Sequence, residues 1–386
     1  MTQLNIEEVV GKRYTEGALA RQETLCCPTD YDDRYLAVLP GEIIERDYGC
    51  GDPSAYVREG ETVLDLGSGS GKTCYIAAQV VGPSGHVIGI DMNDDMLALA
   101  RRHQSEIARR LGYNNVSFHR GKIQDLRTDL DAVDAYLQRH PVASARDLAA
   151  FERFRREQQS THPLVADNAV DVVVSNCVLN LVSDDDKQVL FAELFRVLRP
   201  GGRAVICDIV SDECVPQSLK EDPDLWSGCI AGAFQEGAFL DAFATAGFYG
   251  IELLKRDVQP WRTVAGIEFR SVAVQAWKGK QGECWDYNQA VIYRGPWSEV
   301  RDDDGHTLRR GVPMAVCEKT FRLYTREPYA RGIIPVAPRV AVDPATARPF
   351  DCTREAVRHP RETKGRDYQA TSAAPATCCG PAGDCC

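Results

Sequence analysis

The sequence lacks the features that place a protein in a membrane or send it out of the cell. No run of about 18 apolar residues occurs in its 386 residues. The first ten residues, MTQLNIEEVV, have neither the basic start nor the apolar stretch of a secretory signal. With 44% hydrophobic and 26% charged residues, the composition is that of an ordinary globular chain. We therefore predict a soluble, cytoplasmic protein with no membrane partner.

Positive charge and histidine are also scarce. The chain carries 45 Lys and Arg against 56 Asp and Glu, a net charge of -11, and the basic residues form no block. Such a chain repels phosphate backbones, so we expect no nucleic-acid partner. The seven histidines include no His-x-x-x-His pair, and no cysteine spacing matches a zinc ribbon or finger. We therefore expect no permanently bound metal.

Cysteine, in contrast, is abundant, with fifteen in the chain. In a reducing compartment these are more often thiols, ligands or catalytic groups than structural disulfides. Adjacent pairs occur at 26–27, 378–379 and 385–386. Four single cysteines each lie beside a glycine or a turn signal: Cys50, Cys74, Cys177 and Cys229. These four are the first candidates for chemistry.

The order of strand and helix signals predicts how the chain is organised. From residue 61 to about 277 the two alternate, which implies an open, mostly parallel sheet. Residues 126–162 are highly charged and predict a solvent-facing helical arm. Beyond 280, QAVIYRG and PMAVCEKTFRLY flank the turn RDDDGHT and predict a small antiparallel appendage. The predicted segments are a helical lid (1–55), a Rossmann-like domain (56–280) with an insertion at about 212–235, a small β-rich domain (281–336), and a disordered tail without apolar periodicity (337–386).

The stretch VLDLGSGSGKTCY predicts a strand, a glycine-rich turn and a helix. Glycines at 67, 69 and 71 allow a tight turn that approaches a ligand closely. Asp91, twenty residues beyond Gly71, has the spacing at which a carboxylate binds ribose hydroxyls. The spacing G-x-G-x-G departs from the dinucleotide pattern, and Asp65 suits a cationic sulfonium or amino acid better than a pyrophosphate. The alternative, a turn that only links strand to helix, accounts less well for Asp91.

In DVVVSNCVLNL, Cys177 follows a buried strand directly. In such a sheet this fourth strand neighbours the first, and ligands bind beyond the carboxyl ends of the strands at that point. Cys177 is therefore expected near the cofactor. A single cysteine at a strand end is more often a small buried hydrophobe, and we adopt that interpretation for Cys207.

The glycine loop resembles that of the S-adenosylmethionine-dependent class I methyltransferases. The motifs DYGCGDP, GSGSGKTCY, SNCVLNL, LWSGCIAGA and LRPGG together resemble the arsenite S-adenosylmethionine methyltransferase family, over about residues 8 to 280. The resemblance implies a doubly wound Rossmann-like α/β sheet, with a short N-terminal helical lid and a small α+β C-terminal appendage. Lys72 and Thr73 stand where many members carry Arg and Asp, and the sequence after Cys229 also departs from the family's usual pattern.

Carried over by motif, the resemblance implies a cofactor site, an arsenic site and a redox pair. The residues implied to bind S-adenosylmethionine are Asp65, Gly67, Ser68, Gly69, Gly71, Asp91, Met92, Ile123 and Asn176. The implied ligands of trivalent arsenic are Cys177 and Cys229. Cys50 and Cys74 are the implied redox partners, and whether they also coordinate arsenic stays open. For Asn176, cofactor contact and capping of the strand end carry equal weight. The implied partners are As(III) or its thiol conjugates and a thiol reductant, glutathione or thioredoxin-like, acting on a monomer.

The remaining thiols have competing interpretations. Cys74 lies in the first helical turn after the glycine loop, where the helix end lowers a thiol pKa, so we expect a reactive thiol; a packed helix residue is nearly as good an account. Cys50, between glycines, is expected on a mobile loop. Cys26 and Cys27 are candidates for a secondary thiol site. The terminal CCGPAGDCC is either an arsenite-chelating tether or a dispensable terminus, and we favour the terminus.

The predicted function is transfer of methyl groups from S-adenosylmethionine to trivalent arsenic bound by cysteine thiolates, an arsenite methylation that serves detoxification. Two alternatives remain open. One is a methyltransferase for a small organic or lipid-like acceptor, with structural thiols. The other is a thiol-rich protein that binds As(III) or a metal without turnover. A nicotinamide oxidoreductase is disfavoured by the glycine spacing.

Overall fold

The structure is a computed structural model that describes residues 5–25, 29–353 and 356–369. The chain divides into two compact units, Met1–Gly279 and Lys280–Cys386. Cys26, Cys27 and the two C-terminal cysteine pairs lie outside the described residues. Within the described ranges, no helix is both long and apolar enough to cross a membrane.

The first unit contains most of the helices and the large sheet. Its helices are α1 (Ile6–Leu19), α2 (Asp33–Leu36), α3 (Gly41–Glu45), α4 (Lys72–Val81), α5 (Asp94–Leu111), α6 (Leu130–Arg139), α7 (Ala145–Thr161), α8 (Asp184–Val197), α9 (Gln217–Lys220), α10 (Pro223–Ser227) and α11 (Glu236–Thr245). Its strands are β1 (Thr62–Leu66), β2 (His86–Asp91), β3 (Val116–Arg120), β4 (Val170–Asn176), β5 (Leu198–Ser211), β6 (Phe234–Gln235), β7 (Tyr249–Arg256), β8 (Arg262–Val264) and β9 (Ile267–Trp277).

The sheet of the first unit runs in the order β3-β2-β1-β4-β5-β9-β7. Strands β1 to β5 are parallel, and β9 is antiparallel to both β5 and β7. In register, Leu64 of β1 lies between Ile88 of β2 and Val173 of β4. The strand order reverses at β1, so a ligand crevice is expected beyond the ends of β1 and β4. This topology confirms the predicted Rossmann-like methyltransferase sheet.

Helices cover both faces of the sheet, because strands β1 and β4 are apolar on both sides. One buried cluster includes Leu64, Leu66, Leu190 and Phe243, and joins the sheet to α8 and α11. On the other face, Val63 packs with α4 and α5 residues in a second cluster. The α6–α7 pair of the charged arm has Gln158 of α7 as its buried residue. These two cores fix the strand ends that carry the site.

The described part of the second unit is built from short strands and two α-helices: β10 (Trp285–Asp286), β11 (Ala290–Tyr293), β12 (Glu299–Arg301), β13 (Thr307–Arg309), β14 (Pro313–Ala315), β15 (Ile333–Val336), β16 (Arg348–Pro349), α12 (Glu318–Tyr324) and α13 (Pro360–Lys364). Strand β11 pairs antiparallel with β14 and β15. The turn at 302–306 instead closes the separate β12–β13 hairpin.

Two expectations for this unit need correction. The segment PMAVCEKTFRLY does not continue as a strand, because Cys317 caps α12 by accepting a hydrogen bond from the amide of Thr320. The tail predicted to be disordered from 337 is in part ordered. Strand β16 pairs with β10, and the buried Arg358 forms an ion pair with Asp286 at 2.6 Å. Both contacts link residues far apart in the chain, which local composition does not report.

Candidate active site

The glycine loop turns back against β2 at the point where β1 ends. The amides of Gly67 and Ser68 donate to the carbonyl of Ile90 at 2.8 and 2.9 Å. Gly67, Gly69 and Gly71 all have positive φ, at 67°, 51° and 85°, which side-chain-bearing residues rarely adopt. The loop therefore has the shape that its glycines predict.

A cleft opens beyond the carboxyl ends of β1, β2 and β4, with about 1080 Å³ of space that is partly open to solvent. Eight of the nine predicted cofactor residues line it: Asp65, Gly67, Ser68, Gly69, Asp91, Met92, Ile123 and Asn176. Gly71 is not among the lining residues. A Cβ at Gly71 would lie 2.9 Å from the ring of Phe118 and 3.1 Å from Cβ of Ala100, so this glycine allows α4 to pack closely.

Asp91 ties the loop to the tip of β2. Its carboxylate accepts hydrogen bonds at 2.8 Å from the amides of Gly69 and Asn93. Burial raises the pKa of Asp91. A carboxylate has about four lone-pair sites, so acceptor capacity remains for ligand hydroxyls facing the cleft. Asn93, which the sequence reasoning missed, also lines the cleft and donates to Thr15 of α1 at 3.0 Å, so α1 is held over this opening. Its signal is an Asn directly before two acids at a helix start.

Asp65 and Cys74 form a buried pair beneath the cleft. The thiol of Cys74 donates to Asp65 Oδ2 at 3.1 Å. Burial raises the pKa of Asp65 to about 7, although the hydrogen bond from Cys74 opposes this. Burial and the neighbouring Asp65 raise the pKa of Cys74 well above that of an ordinary thiol. The predicted lowering of this pKa is wrong, because desolvation outweighs the helix end at a fully buried sulfur.

The other three predicted thiols come together in a different place. Cys50, Cys177 and Cys229 belong to one buried cluster with apolar neighbours that include Ile209 and Phe269, whereas Cys74, in α4, belongs to the core cluster on the face that α4 and α5 cover. The Sγ atoms of Cys50 and Cys177 and a carboxylate oxygen of Asp208 lie within 4.8 Å of one another. The thiol of Cys229 donates to the carbonyl of Cys177 at 3.3 Å. Cys177 also lines the cleft, so the thiol cluster adjoins the cofactor cavity.

The backbone is strained at two of these thiols. Cys177 has a φ of 64° and Cys229 a φ of 61°, in the left-handed region that L residues avoid at a cost of about 1–2 kcal/mol. The turn at Cys177 is fixed by a hydrogen bond from its amide to the carbonyl of Cys207 at 2.8 Å. The turn at Cys229 follows α10 and is fixed by a hydrogen bond from the amide of Cys229 to the carbonyl of Trp226 at 3.1 Å. Strain of this kind concentrates at functional sites.

Asn176 holds the loop that carries Cys50. Its Oδ1 accepts from the amides of Cys50 and Gly51 at 2.9 and 3.1 Å, and its Nδ2 donates to the carbonyl of Gly51 at 2.8 Å and to Tyr31 at 3.0 Å. A Cβ at Gly49 would lie 2.0 Å from Nδ2, so only glycine fits there. Asn176 therefore positions a thiol-bearing loop, a role outside the two alternatives that the sequence offered.

Two further residues at the cluster were missed from the sequence. Asp208 of β5 is buried beside Cys50 and Cys177, and its carboxylate accepts from the amides of Leu179 and Ile209 at 2.9 and 2.7 Å. Burial raises its pKa to about 7. The pKa of Tyr14 in α1 is raised by burial first, and then by Cys229 and Cys177. An acid inside the apolar run VICDIV was a usable signal for Asp208; Tyr14 carried none.

Known proteins match this arrangement. A family model described as a methyltransferase domain matches residues 58–153 and 139–247. The arsenite methyltransferase of Aquipseudomonas alcaligenes is 33% identical over 300 residues, covering 75% of this chain and 76% of that protein. The chain belongs to the arsenite methyltransferase family. The family's member from Mus musculus is 28% identical over 302 residues, covering 75% of this chain and 70% of its own.

A crystal structure supports the family assignment. It is that of an arsenic(III) S-adenosylmethionine methyltransferase from Chlamydomonas reinhardtii, which is 29% identical, has a TM-score of 0.54, and covers 84% of this chain and 100% of its own. As a member of the arsenite methyltransferase family, the protein is an S-adenosylmethionine-dependent enzyme. Residues 280–368 match a separate family model, described as a domain of unknown function, which begins where the second unit begins.

Proposed function

We propose that the protein transfers methyl groups from S-adenosylmethionine to trivalent arsenic held by Cys177 and Cys229. The observation that carries this proposal is the convergence of buried thiols beside the cofactor cleft. Cys177 belongs to both the thiol cluster and the lining of the cleft. An organic acceptor gives no reason for three buried cysteines at this point, two of them on strained backbone.

Soft thiolates select thiophilic ions over hard ones. Arsenite exchanges hydroxide for sulfur as each As–S bond forms, and the thiol proton leaves in the water released. The bound arsenic keeps a lone pair, so it attacks a methyl carbon directly and no general base is needed. The task of Cys177 and Cys229 is to hold that lone pair in line with the methyl group, an alignment that contributes up to about 7–11 kcal/mol in well-oriented reactions.

The cleft residues have matching roles toward the cofactor. When bound, S-adenosylmethionine supplies an electrophilic methyl group on a sulfonium. The carboxylate of Asp91 accepts from the ribose hydroxyls while its bonds to Gly69 and Asn93 keep it in place. Asp65, in its charged form, compensates the positive charge of the amino acid end. The fit rests on the cleft lining itself, which offers both carboxylates and a glycine backbone open to close approach.

Methylation oxidises arsenic formally by two electrons. A dithiol that closes to a disulfide returns two electrons to the arsenic, which becomes trivalent again, and releases two protons. We propose Cys50 and Cys74 for this step. They lie in different clusters, so the loop at 49–51 must leave Asn176 before the two sulfurs meet. An external thiol reductant, glutathione or thioredoxin-like, then reopens the disulfide. The proposed setting is arsenic detoxification in the cytoplasm by a monomer that holds no permanent metal.

The test is methyl transfer from labelled S-adenosylmethionine, with glutathione present, to arsenite and in parallel to a quinone and a sterol. The proposal predicts methylated arsenic species by chromatography with elemental mass spectrometry, and no label in the organic acceptors. Label that appears only in an organic acceptor contradicts it in favour of the first alternative. Arsenite that binds while the label stays on the cofactor supports the binding protein instead.

A further inference from the structure

A second group of thiols belongs to the second unit, which contributes no residue to the function proposed above. The Sγ atoms of Cys284, Cys317 and Cys352 lie within 4.8 Å of one another. None of the three forms a disulfide with another cysteine of the described chain. They come from three separate stretches of a unit whose family has no stated function, so the fold itself brings them together.

Pairing between distant strands places two of the thiols. Cys284 directly precedes β10, which pairs with β16, and the amide of Phe350 donates to the carbonyl of Cys284 at 2.7 Å. Cys352 follows two residues beyond Phe350. The buried Arg358 holds this region by pairing with Asp286 at 2.6 Å. The approach of Cys284 and Cys352 is therefore built into the sheet.

The third thiol is fixed by a helix start. Cys317 is fully buried, and its sulfur accepts from the amide of Thr320 at 3.4 Å as the N-cap of α12. The preceding carbonyl, of Val316, accepts from Nε2 of the buried Gln289 at 2.8 Å. Nε2 of Gln289 also donates to the carbonyl of Trp285 at 3.5 Å, which ties the cap of α12 to the strand that directly follows Cys284.

The donor set is three sulfurs alone. Among the described residues, no histidine, aspartate or glutamate joins the three cysteines within the same 4.8 Å. Structural zinc is almost always held by four ligands in a tetrahedron, so this set is one short. Trivalent arsenic forms three bonds and keeps a lone pair, which matches three converging thiols without a fourth ligand.

We propose that Cys284, Cys317 and Cys352 form a second arsenic site, which binds As(III) as a three-thiolate complex. The choice of arsenic over another thiophilic ion rests on the proposed function. Arsenous acid and three thiols give three As–S bonds and three waters, with no change in oxidation state. The site thereby adds arsenic-binding capacity to the enzyme that does not depend on Cys177 or Cys229.

The surroundings of the cluster leave it reachable from solvent. Cys284 and Cys352 are partly exposed, so a small ion can approach. Hydrogen bonds from Cys352 and Cys317 and the ammonium of Lys319 lower the pKa of Cys284 against the effect of burial, whereas burial and the hydrogen bond with Cys284 raise the pKa of Cys352. Lys319 also donates to the carbonyl of Gly282 at 3.1 Å, which fixes the lysine near the cluster.

The test is arsenic binding by the full chain, reduced with a phosphine and incubated with arsenite in the absence of S-adenosylmethionine. Bound arsenic per chain is measured by elemental mass spectrometry after gel filtration. Cys317→Ser keeps an N-cap residue, since serine is among the best, and Cys352→Ser alters a partly exposed position. Each is expected to bind one arsenic fewer per chain than wild type. The matched control Cys214→Ser, at an exposed cysteine, is expected to bind as wild type does.

Equal arsenic in wild type and both variants, with melting temperatures unchanged, overturns the inference. Stoichiometric zinc in the purified wild type that is absent from Cys352→Ser also overturns it, because the cluster is then a zinc site. The assay contains no methyl donor, so its result is separate from that of methyl transfer. A chain that loses one arsenic with Cys317→Ser yet never methylates arsenite contradicts the proposed function and leaves this site standing.

Discussion

At the level of single residues, the site contains buried carboxyl groups that are only partly ionised at neutral pH. Asp65 and Asp208 are both fully enclosed, and burial raises the pKa of each to about 7. Asp65 is further held by the thiol of Cys74 at 3.1 Å. A carboxyl with a pKa near 7 changes charge around neutral pH, so cofactor binding should depend on pH.

We predict that the affinity for S-adenosylmethionine falls several-fold as the pH is lowered from about 7.5 to about 6. Asp65 has a raised pKa, so it is charged above about 7 and takes up a proton below it. The neutral acid no longer compensates the cationic ligand. Titration calorimetry at both pH values measures the change, and Asp65→Asn is the control, with weaker binding and a flatter profile. Equal affinity of the wild type at both pH values contradicts the role given to Asp65.

Asn176 offers a second residue-scale prediction. Asn176→Ala removes the acceptor for two amides of the Cys50 loop and the donor to Gly51. Leaving buried groups unpaired costs about 1–3 kcal/mol each. We expect methyl transfer to fall by at least tenfold while cofactor affinity changes less. Asn176→Asp keeps the acceptor oxygen, so its rate of methyl transfer should lie between those of the wild type and Asn176→Ala. Cofactor affinity that falls as much as turnover would show that Asn176 acts mainly on the cofactor.

Among the secondary-structure elements, the loop between β1 and α4 shows that two of its three glycines, Gly69 and Gly71, are needed for different structural reasons. Gly69 has positive φ but open space where a Cβ would lie, whereas a Cβ at Gly71 would meet Phe118 and Ala100. The sequence placed both in the cofactor site. The structure separates a residue that faces the cleft from one that lets a helix pack.

We predict that Gly69→Ala lowers the free energy of unfolding by about 1–2 kcal/mol, from its backbone conformation alone. Gly71→Ala bears the same cost and adds about 1–3 kcal/mol for overpacking against Phe118. Urea unfolding monitored by circular dichroism measures the difference. Equal losses in the two variants would show that the packing beneath α4 relaxes freely.

Elements with strong local signals were predictable from the sequence, and those fixed by distant pairing were not. The strand and glycine turn at 62–71, and the cap of α8 at Ser183, follow from composition and spacing over a few residues. The helix α12 begins at a local cap formed by Cys317, a residue type that is not among the usual N-caps, and the ordering of β16 depends on its pairing with the distant β10. For the same reason, the meeting of Cys284 with Cys352 has no local signature.

At the scale of the whole molecule, the candidate active site belongs to one unit. Among the described residues, all that line the cleft lie between Ile6 and Asp186, and the last of the proposed arsenic ligands is Cys229. The motif resemblance named eight residues that line the cleft and the three thiols of the cluster, although of those thiols Cys177 alone directly follows a strand. It did not include Asp208, for which the acid inside VICDIV was a signal, or Tyr14, whose place depends on how α1 packs around the thiols.

We predict that residues 1–279, expressed alone, bind S-adenosylmethionine with an affinity within about threefold of the full chain, since every residue lining the cleft is present. Circular dichroism establishes whether the fragment folds, and calorimetry gives its affinity. A fragment that folds with the full chain's helical content and yet binds no cofactor would contradict the assignment of the site to the first unit.

In the proposed function, Cys177 holds the arsenic that accepts the methyl group. The most direct measurement compares cofactor binding and arsenite methylation in the wild type, in Cys177→Ser and in Cys207→Ser, a matched change at another buried cysteine of the same sheet. We expect Cys177→Ser to bind S-adenosylmethionine as the wild type does but to methylate arsenite at least a hundredfold more slowly, while Cys207→Ser retains most activity. Methylation by Cys177→Ser at the wild-type rate would contradict this role of Cys177.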